Sequence, residues 1–331
     1  VKDLYTDLGG PDMKIVALER SCVGMDIDFD FTEFGEMIVY PNTTSPEDTK
    51  ERAAEADIII ANKVPLNAET LKDAANLKLI CETATGFDNI DLEYCKSRGI
   101  QVRNVKGYST TMVAQHTFAL ALTLAHHMPY YDNFVKSGAY SAQDKFSYFD
   151  NTFRELEGQT WGIIGMGNIG KRVASIATAF GCRVIFYSPT GKSTVTEYER
   201  VDFDTLLKES DILSLHCPLS DLTRHIINAD AFKKMKNSAI LVNVARGAVI
   251  DQAALADALD NGEILAAGLD VLEGEPMKVD NPLARIKDSN KLIITPHIAW
   301  CAVETRTRLL NDVKENIRTF LNGEDRNVVN K

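Results

Sequence analysis

The run Thr160-Trp-Gly-Ile-Ile-Gly165-Met-Gly167-Asn-Ile-Gly170 constrains this chain more than any other stretch, because an apolar segment opens directly into a G-x-G-x-x-G turn. The apolar segment reads as a buried strand, and Ile169 to Phe180 reads as a helix closed by Gly181. In that context each glycine has its own task. Gly165 allows the tight turn, Gly167 lets backbone approach a pyrophosphate, and Gly170 lets the helix close on the strand. A pyrophosphate would then sit on the orphan N–H groups and positive dipole end of the helix. A lone G-x-G-x-x-G is often only a turn; the strand before it and the helix after it favour the nucleotide.

Length and charge narrow the class. The 331 residues, 45% hydrophobic and 25% charged, are enough for two globular domains. The longest apolar stretch, Thr117 to Ala125, is far too short to span a bilayer and reads as a buried helix. A net charge of −11 disfavours nucleic acid or an anionic membrane as partner, and the cluster Lys233, Lys234, Lys236 reads as a solvated helix end. Six cysteines, scattered without C-x-x-C spacing, are expected as reduced thiols of a cytoplasmic protein. Residues 1–12 precede Met13-Lys-Ile-Val, which reads as a natural start, so they are expected to be foreign to the native chain.

Strands and helices alternate throughout. Lys14–Leu18, Asp57–Ala61, Leu77–Ile80 and Ile100–Asn104 are strand candidates of a first unit. Ser45 before Pro46 marks a helix start, and Gly99 closes a helix begun at Asp91. A second unit offers Trp161–Ile164, Arg183–Tyr187, Ile212–His216, Ile240–Val244, Ala267–Val271 and Leu292–Thr295, with a helix from Asp251 to Asn261 stopped by Gly262. The pattern predicts α/β architecture with two doubly wound parallel sheets. The last helix, about Val303 to Leu321, is expected to return to the first unit. A Rossmann cofactor domain (residues 111–299) would then be inserted into a flavodoxin-like substrate domain (13–110 and 300–331), with the active site in the cleft between them.

Three further segments carry chemistry. Val242-Asn-Val-Ala-Arg246-Gly247, Gly268-Leu-Asp270-Val-Leu-Glu-Gly-Glu275-Pro276 and Ile293-Ile-Thr-Pro296-His297 each place a charged or titratable group just past the carboxyl end of a strand. Open α/β sheets bind ligands there. A guanidinium can hold a carboxylate through two parallel hydrogen bonds and polarise an adjacent ketone. A histidine can give the ketone oxygen its proton as hydride reaches carbon, and a nearby carboxylate orients that imidazole and favours its protonated form.

At these residues the sequence resembles the D-isomer-specific 2-hydroxyacid dehydrogenases, over essentially all of 14–321. The resemblance rests on Gly165–Gly170, His216-Cys-Pro-Leu, Asn243-Val-Ala-Arg-Gly and the Glu275 and His297 segments. It implies that Arg246 binds substrate carboxylate and ketone, that His297 is the acid/base and that Glu275 pairs with it. It further implies that amides of the loop Ala84-Thr85-Gly86-Phe87-Asp88-Asn89 help bind the carboxylate and that Asp270 faces the nicotinamide amide. Asn168 and Ile169 would touch the pyrophosphate, and Cys217, Pro218 and Thr223 would lie along the cofactor, as would Val244 and Ala245 after their strand. Thr83-Ala-Thr-Gly, Gly107-Tyr-Ser-Thr and His297-Ile-Ala-Trp look most like hydroxypyruvate reductases (glycerate dehydrogenases).

Bland readings compete at each position. Among the six histidines, His116, His126 and His127 read as packing or interface residues and His225 as an ordinary loop residue. His216 stands at a strand end but has no matching carboxylate segment. The Asp88–Asp91 acids look like a metal cluster, yet Asp91 is better read as a helix cap and no metal is expected. One departure matters for the cofactor. The acid that usually holds the ribose 2′-hydroxyl of NAD, about 20 residues past the glycines, is replaced by Ser188, with Thr190, Lys192 and Ser193 following. Either NAD or NADP is therefore open.

The resulting expectation is an oxidoreductase passing hydride between NAD(P)H and a small 2-keto acid to give the D-2-hydroxy acid. Hydroxypyruvate or glyoxylate is favoured, D-lactate chemistry comes second, and a dinucleotide-sensing protein like the corepressors of this fold is the non-enzymatic alternative. Phosphoglycerate oxidation is not expected, since no regulatory extension follows residue 321, and formate oxidation would not need Glu275. The apolar helix Thr111–Ala125 and the aromatic-rich arm Tyr130–Phe153 point to a homodimer.

Overall fold

Five parallel strands, β1 (Lys14–Ala17), β2 (Glu36–Val39), β3 (Ile58–Ala61), β4 (Leu79–Glu82) and β5 (Gln101–Arg103), build the first sheet in the computed structural model, which describes residues 13–331. The reading of residues 1–12 as foreign lies outside the described residues. The sheet order is β2-β1-β3-β4-β5, the flavodoxin-like order. β3 and β4 are buried at every position, and β3 reads as an unbroken apolar run while β4 ends on the buried Glu82. β2 escapes the sequence pattern because it is an edge strand with no fully buried residue. The crossovers start where their caps predict. Ser45 Oγ accepts from the Asp48 amide at 3.0 Å to open α1 (Pro46–Ala53). The Asp91 carboxylate accepts from the Tyr94 amide at 2.9 Å to open α2 (Leu92–Ser97). Val16, Ile59, Leu66, Leu71, Ile80 and Val102 lie in the core of this unit.

The helix Val303–Leu321 belongs to the same compact unit, which comprises residues up to Ser109 and Cys301–Lys331. Arg103 fastens it. This side chain is 1% exposed, and its guanidinium donates to the Asn316 carbonyl at 2.9 Å, to Thr319 Oγ1 at 2.7 Å and to the Glu324 carbonyl at 2.6 Å. A buried guanidinium has five donors to satisfy, and a helix carbonyl, a threonine hydroxyl and a carbonyl just past the helix take three of those bonds.

The second unit is the contiguous stretch Thr110–Trp300. It begins with α3 (Thr110–Ala125) and α4 (Met128–Lys136), followed by β6 (Thr160–Ile164), α5 (Asn168–Ala179), β7 (Arg183–Tyr187), β8 (Glu199–Arg200), α6 (Phe203–Glu209) and β9 (Ile212–Leu215). It continues through α7 (Ala229–Phe232), β10 (Ile240–Asn243), α8 (Gln252–Asn261), β11 (Ala266–Leu269) and β12 (Leu292–Ile294). The seven parallel strands run β12-β11-β10-β9-β6-β7-β8, the Rossmann order with one strand added. Alternate residues feed two cores. Trp161, Ile163, Phe186, Ile240 and Val242 join one, and Ile164, Ile185, Leu213, Leu241 and Leu269 join the other. That alternation puts a packed layer on each face of the sheet. β8, two residues long, gave no sequence signal. α3 lies so close on β11 that a Cβ at Gly268 would stand 2.9 Å from Leu120 Cβ.

Candidate active site

The glycine turn follows β6 between β9 and β7, where the strand order of the sheet reverses. Gly165 has φ +93°, and a Cβ there would lie 2.8 Å from the Cys217 amide and the His216 carbonyl. A Cβ at Gly170 would lie 2.2 Å from the Gly165 carbonyl oxygen, so both positions require glycine. Gly167 differs: among the described residues, no atom beyond its chain neighbours stands within 4 Å of where its Cβ would be. That open space faces the start of α5, whose N-cap is Gly167 and which receives no side-chain cap. An opening before uncapped helical amides, beginning at Asn168 and Ile169, fits a dinucleotide pyrophosphate.

The end of β7 meets this turn, with the Gly165 amide donating to the Tyr187 carbonyl at 3.1 Å. Ser188 and Gly191 close a turn through a 2.9 Å backbone bond, and Thr190 Oγ1 accepts from the Lys192 amide at 3.3 Å. Arg200 of β8 reaches the same turn and donates to the Gly191 carbonyl at 3.0 Å. Arg200 was not singled out in the sequence, since the register that brings it beside Phe186 is visible only in the sheet.

After β9, Thr223 is 2% exposed and its hydroxyl donates to the Pro218 carbonyl at 2.7 Å, while Cys217 is buried and Pro218 exposed. His216 Nε2 lies 3.0 Å from Ser214 Oγ, and its Nδ1 has no hydrogen-bond partner among the described residues. Burial pushes the His216 pKa down to about 3, so this ring is neutral and is no reservoir for a proton.

Past β10 the Asn243 side chain shapes the next turn. Its amide donates to the Arg246 carbonyl at 2.9 Å, and its oxygen accepts from the Ala245 amide at 3.0 Å. Val244 is buried, while Ala245 and Arg246 are half-buried. A Cβ on Gly247 would lie 1.8 Å from the Leu272 carbonyl carbon, so only glycine lets this turn seat against the 272–275 loop. Arg246 and Glu275 are thereby carried on two segments in contact. The Glu275 carboxylate spans its own loop, with Oε1 accepting from the Leu272 amide at 2.8 Å and Oε2 lying 2.7 Å from His297 Nδ1. The two side chains are 35% and 29% exposed, which leaves the pair reachable from solvent.

His297 has φ +57°, a conformation rare for a residue with a Cβ. Asp270 surrounds it with acceptors. The Asp270 carbonyl accepts from the His297 amide at 2.9 Å, Oδ1 from the Ile298 amide at 2.8 Å, and Oδ2 from the Ala299 amide at 2.8 Å. Behind Asp270 stand Thr295 and His116, the latter read from sequence as a packing or interface residue and found with Nε2 2.9 Å from Thr295 Oγ1. His225, read as an ordinary loop residue, lies 2.8 Å from Glu273.

The loop Ala84–Asn89 stands on the first unit, past the end of β4. Its shape is held by side chains: Asn104 donates to the Thr85 carbonyl at 2.7 Å, Thr85 Oγ1 to the Val105 carbonyl at 2.8 Å, and Asn89 to the Val64 carbonyl at 3.0 Å. Gly86 stands between these ties.

A family model described as D-isomer specific 2-hydroxyacid dehydrogenase, NAD binding domain, matches residues 118–299. The hydroxypyruvate reductase of Blautia hydrogenotrophica is 39% identical over 326 residues, covering 96% of this chain and 100% of that one. Among solved structures, an acyclic imino acid reductase in complex with NADPH and D-Arg matches with a TM-score of 0.85 at 30% identity, over 96% of this chain and 100% of that one. The D-lactate dehydrogenase from Aquifex aeolicus complexed with NAD and lactic acid matches with a TM-score of 0.79 at 30% identity, over 96% and 99%. Identity of 39% sustained along both chains goes well beyond a shared architecture: this chain belongs to the D-isomer specific 2-hydroxyacid dehydrogenase family.

Proposed function

We propose that this protein reduces a small 2-keto acid, hydroxypyruvate or glyoxylate, to the D-2-hydroxy acid with NADH or NADPH. The observation that carries the reading is the 2.7 Å His297–Glu275 pair, held on a loop beside the Arg246 turn at the carboxyl ends of β10, β11 and β12. The dinucleotide supplies the hydride. Arg246 binds the substrate carboxylate through its planar fork and polarises the ketone. With Nδ1 held by Glu275, His297 delivers the proton to the ketone oxygen from Nε2. Amides of Ala84, Thr85 and Gly86 help bind the carboxylate, and Asp270 meets the nicotinamide amide through the acceptor capacity left on Oδ2. A relative named hydroxypyruvate reductase supports the substrate class. The chain acts as a homodimer, a reading supported by α4, which buries no residue, and by Phe146 and Phe149, 93% and 77% exposed. Its six free cysteines fit a cytoplasmic setting.

A panel of 2-keto acids assayed with both reduced cofactors tests this. Highest kcat/KM on hydroxypyruvate or glyoxylate supports the reading, and no turnover on any keto acid overturns it. The same panel in Ser188→Asp tests the cofactor turn. A carboxylate about 4 Å from a 2′-phosphate costs on the order of 4 kcal/mol per unit-charge pair at an effective dielectric near 20, before solvent and salt reduce it. The parent should therefore accept NADPH, with Ser188, Thr190 and Lys192 lining its 2′-phosphate. In the variant, kcat/KM for NADPH should fall by about one to two orders of magnitude while NADH is spared. A strong NADH preference unchanged by the substitution would show that position 188 does not select the cofactor.

Glu275→Gln should lower kcat for keto-acid reduction, but by less than loss of His297 itself, because the side-chain amide can still meet Nδ1 while the carboxylate that orients the imidazole is gone. A kcat equal to that of the parent would uncouple Glu275 from the acid.

A further inference from the structure

Buried behind the His297 loop is a second imidazole and a second carboxylate. Asp270 is 1% exposed and His116 is buried on α3, a helix otherwise made of apolar and small residues at its buried positions. Thr295 Oγ1 lies 2.6 Å from Asp270 Oδ1 and 2.9 Å from His116 Nε2, which itself stands 3.5 Å from that Oδ1. A hydroxyl has one proton, and an ionised carboxylate only accepts. The 2.6 Å contact therefore takes the threonine proton, since two bare oxygens at that distance would repel. His116 must then carry its hydrogen on Nε2 and donate to Thr295. The direction of the relay is fixed: His116 to Thr295 to Asp270.

We propose that His116 is a positioning residue for the reaction, acting through Thr295 and Asp270 on the loop that carries His297. Three successive amides, those of 297, 298 and 299, end on Asp270, and they hold His297 in its left-handed backbone conformation. Two of them, the 298 and 299 amides, end on the carboxylate, so that part of the grip depends on where the Asp270 carboxylate points. Thr295 Oγ1 has a competing acceptor, the Leu269 carbonyl at 3.4 Å. With His116 donating, the hydroxyl proton stays on Asp270. Without it, the hydroxyl is free to turn to Leu269, and Oδ1 loses both the hydroxyl and the nearby imidazole.

The inference rests on the reading of His297 as the acid, so its test has one readout that needs turnover and one that does not. In His116→Leu, kcat for hydroxypyruvate reduction should fall about tenfold to a hundredfold, the usual effect of displacing a reacting group by a fraction of an ångström to an ångström. KM for the keto acid should move less than about threefold, because the Arg246 turn is untouched. His116→Gln, which restores an N–H donor of similar reach, should recover most of the loss. Thr295→Val and the double variant His116→Leu/Thr295→Val should be equally impaired, since both cut the same relay. Independently of turnover, hydrogen exchange in the peptide spanning 296–300 should quicken about tenfold in His116→Leu and not in His116→Gln. Unchanged exchange in His116→Leu overturns the proposal even if the parent reduces no keto acid. In an active parent, faster exchange with unchanged kcat, equal losses in Leu and Gln, or multiplying losses in the double variant overturn it as well.

Discussion

His297→Gln should lower kcat for keto-acid reduction by about two to four orders of magnitude, the range for loss of a positioned general acid. Glutamine keeps a polar side chain that can reach Glu275 Oε2, but its amide cannot surrender a proton to an alkoxide. The loss should fall on the chemical step alone. The loop is held by backbone amides of 297–299 on Asp270, which do not involve the imidazole. The glycine turn lies after a different strand, β6. Dinucleotide affinity, read from NADH fluorescence, should therefore stay within about threefold of the parent. A kcat within tenfold of the parent would remove His297 from the proton-transfer role.

Arg246→Lys should raise KM for the keto acid and lower kcat together, although the charge is retained. A guanidinium presents a planar fork to a carboxylate, whereas an ammonium is a point charge that satisfies one oxygen at a time. Losing one charge-assisted hydrogen bond in the transition state costs about 1.5–3 kcal/mol, or roughly 10- to 150-fold in kcat/KM. The turn itself should survive, because Asn243 grips the backbone of Ala245 and Arg246 and not the guanidinium. Unaltered melting with impaired kinetics is the expected combination. Near-parental kinetics on every keto acid would mean that Arg246 makes no bidentate contact with substrate.

The strands most plainly legible in the sequence are those buried on both faces, although the edge strands at Gln101–Arg103 and Leu292–Ile294 are legible too. Ile58-Ile-Ile-Ala61 and Ile240-Leu-Val-Asn243 are runs that water would expel from either side of a sheet, and they declare themselves without neighbours. β2 and β8 contain no buried residue, so no apolar run marks them. Caps were legible for a similar reason. Ser45, Asp91 and Asp251 act within three residues of themselves, and a local interaction leaves a local signature. The site splits along the same line. Glycines 165, 167 and 170 and the segments of Arg246, Glu275 and His297 carry short motifs. The contact of His116 with Thr295 joins residues 179 apart, and a lone histidine on an apolar helix looks like any buried polar residue. Arg200 is hidden in the same way, behind a strand register that no spacing rule encodes.

The hydrogen bond from α3 to Thr295 also bears on the order in which the chain assembles. α3 opens the second unit and Thr295 stands close to its final residue, Trp300, so this unit, once folded, brings its outgoing chain back beside its incoming one. The first unit must close across that insertion, with Arg103 reaching Asn316 and Glu324. Across an unstructured insertion the loop from Arg103 to Asn316 is roughly 210 residues; with the insertion folded only about 20 remain unconstrained, which lowers the closure cost by about 2 kcal/mol. On a ribosome the second unit therefore has every reason to fold first. Strands β1 to β5 emerge earliest and are completed last, holding apolar surface in water until Cys301–Lys331 has left the tunnel.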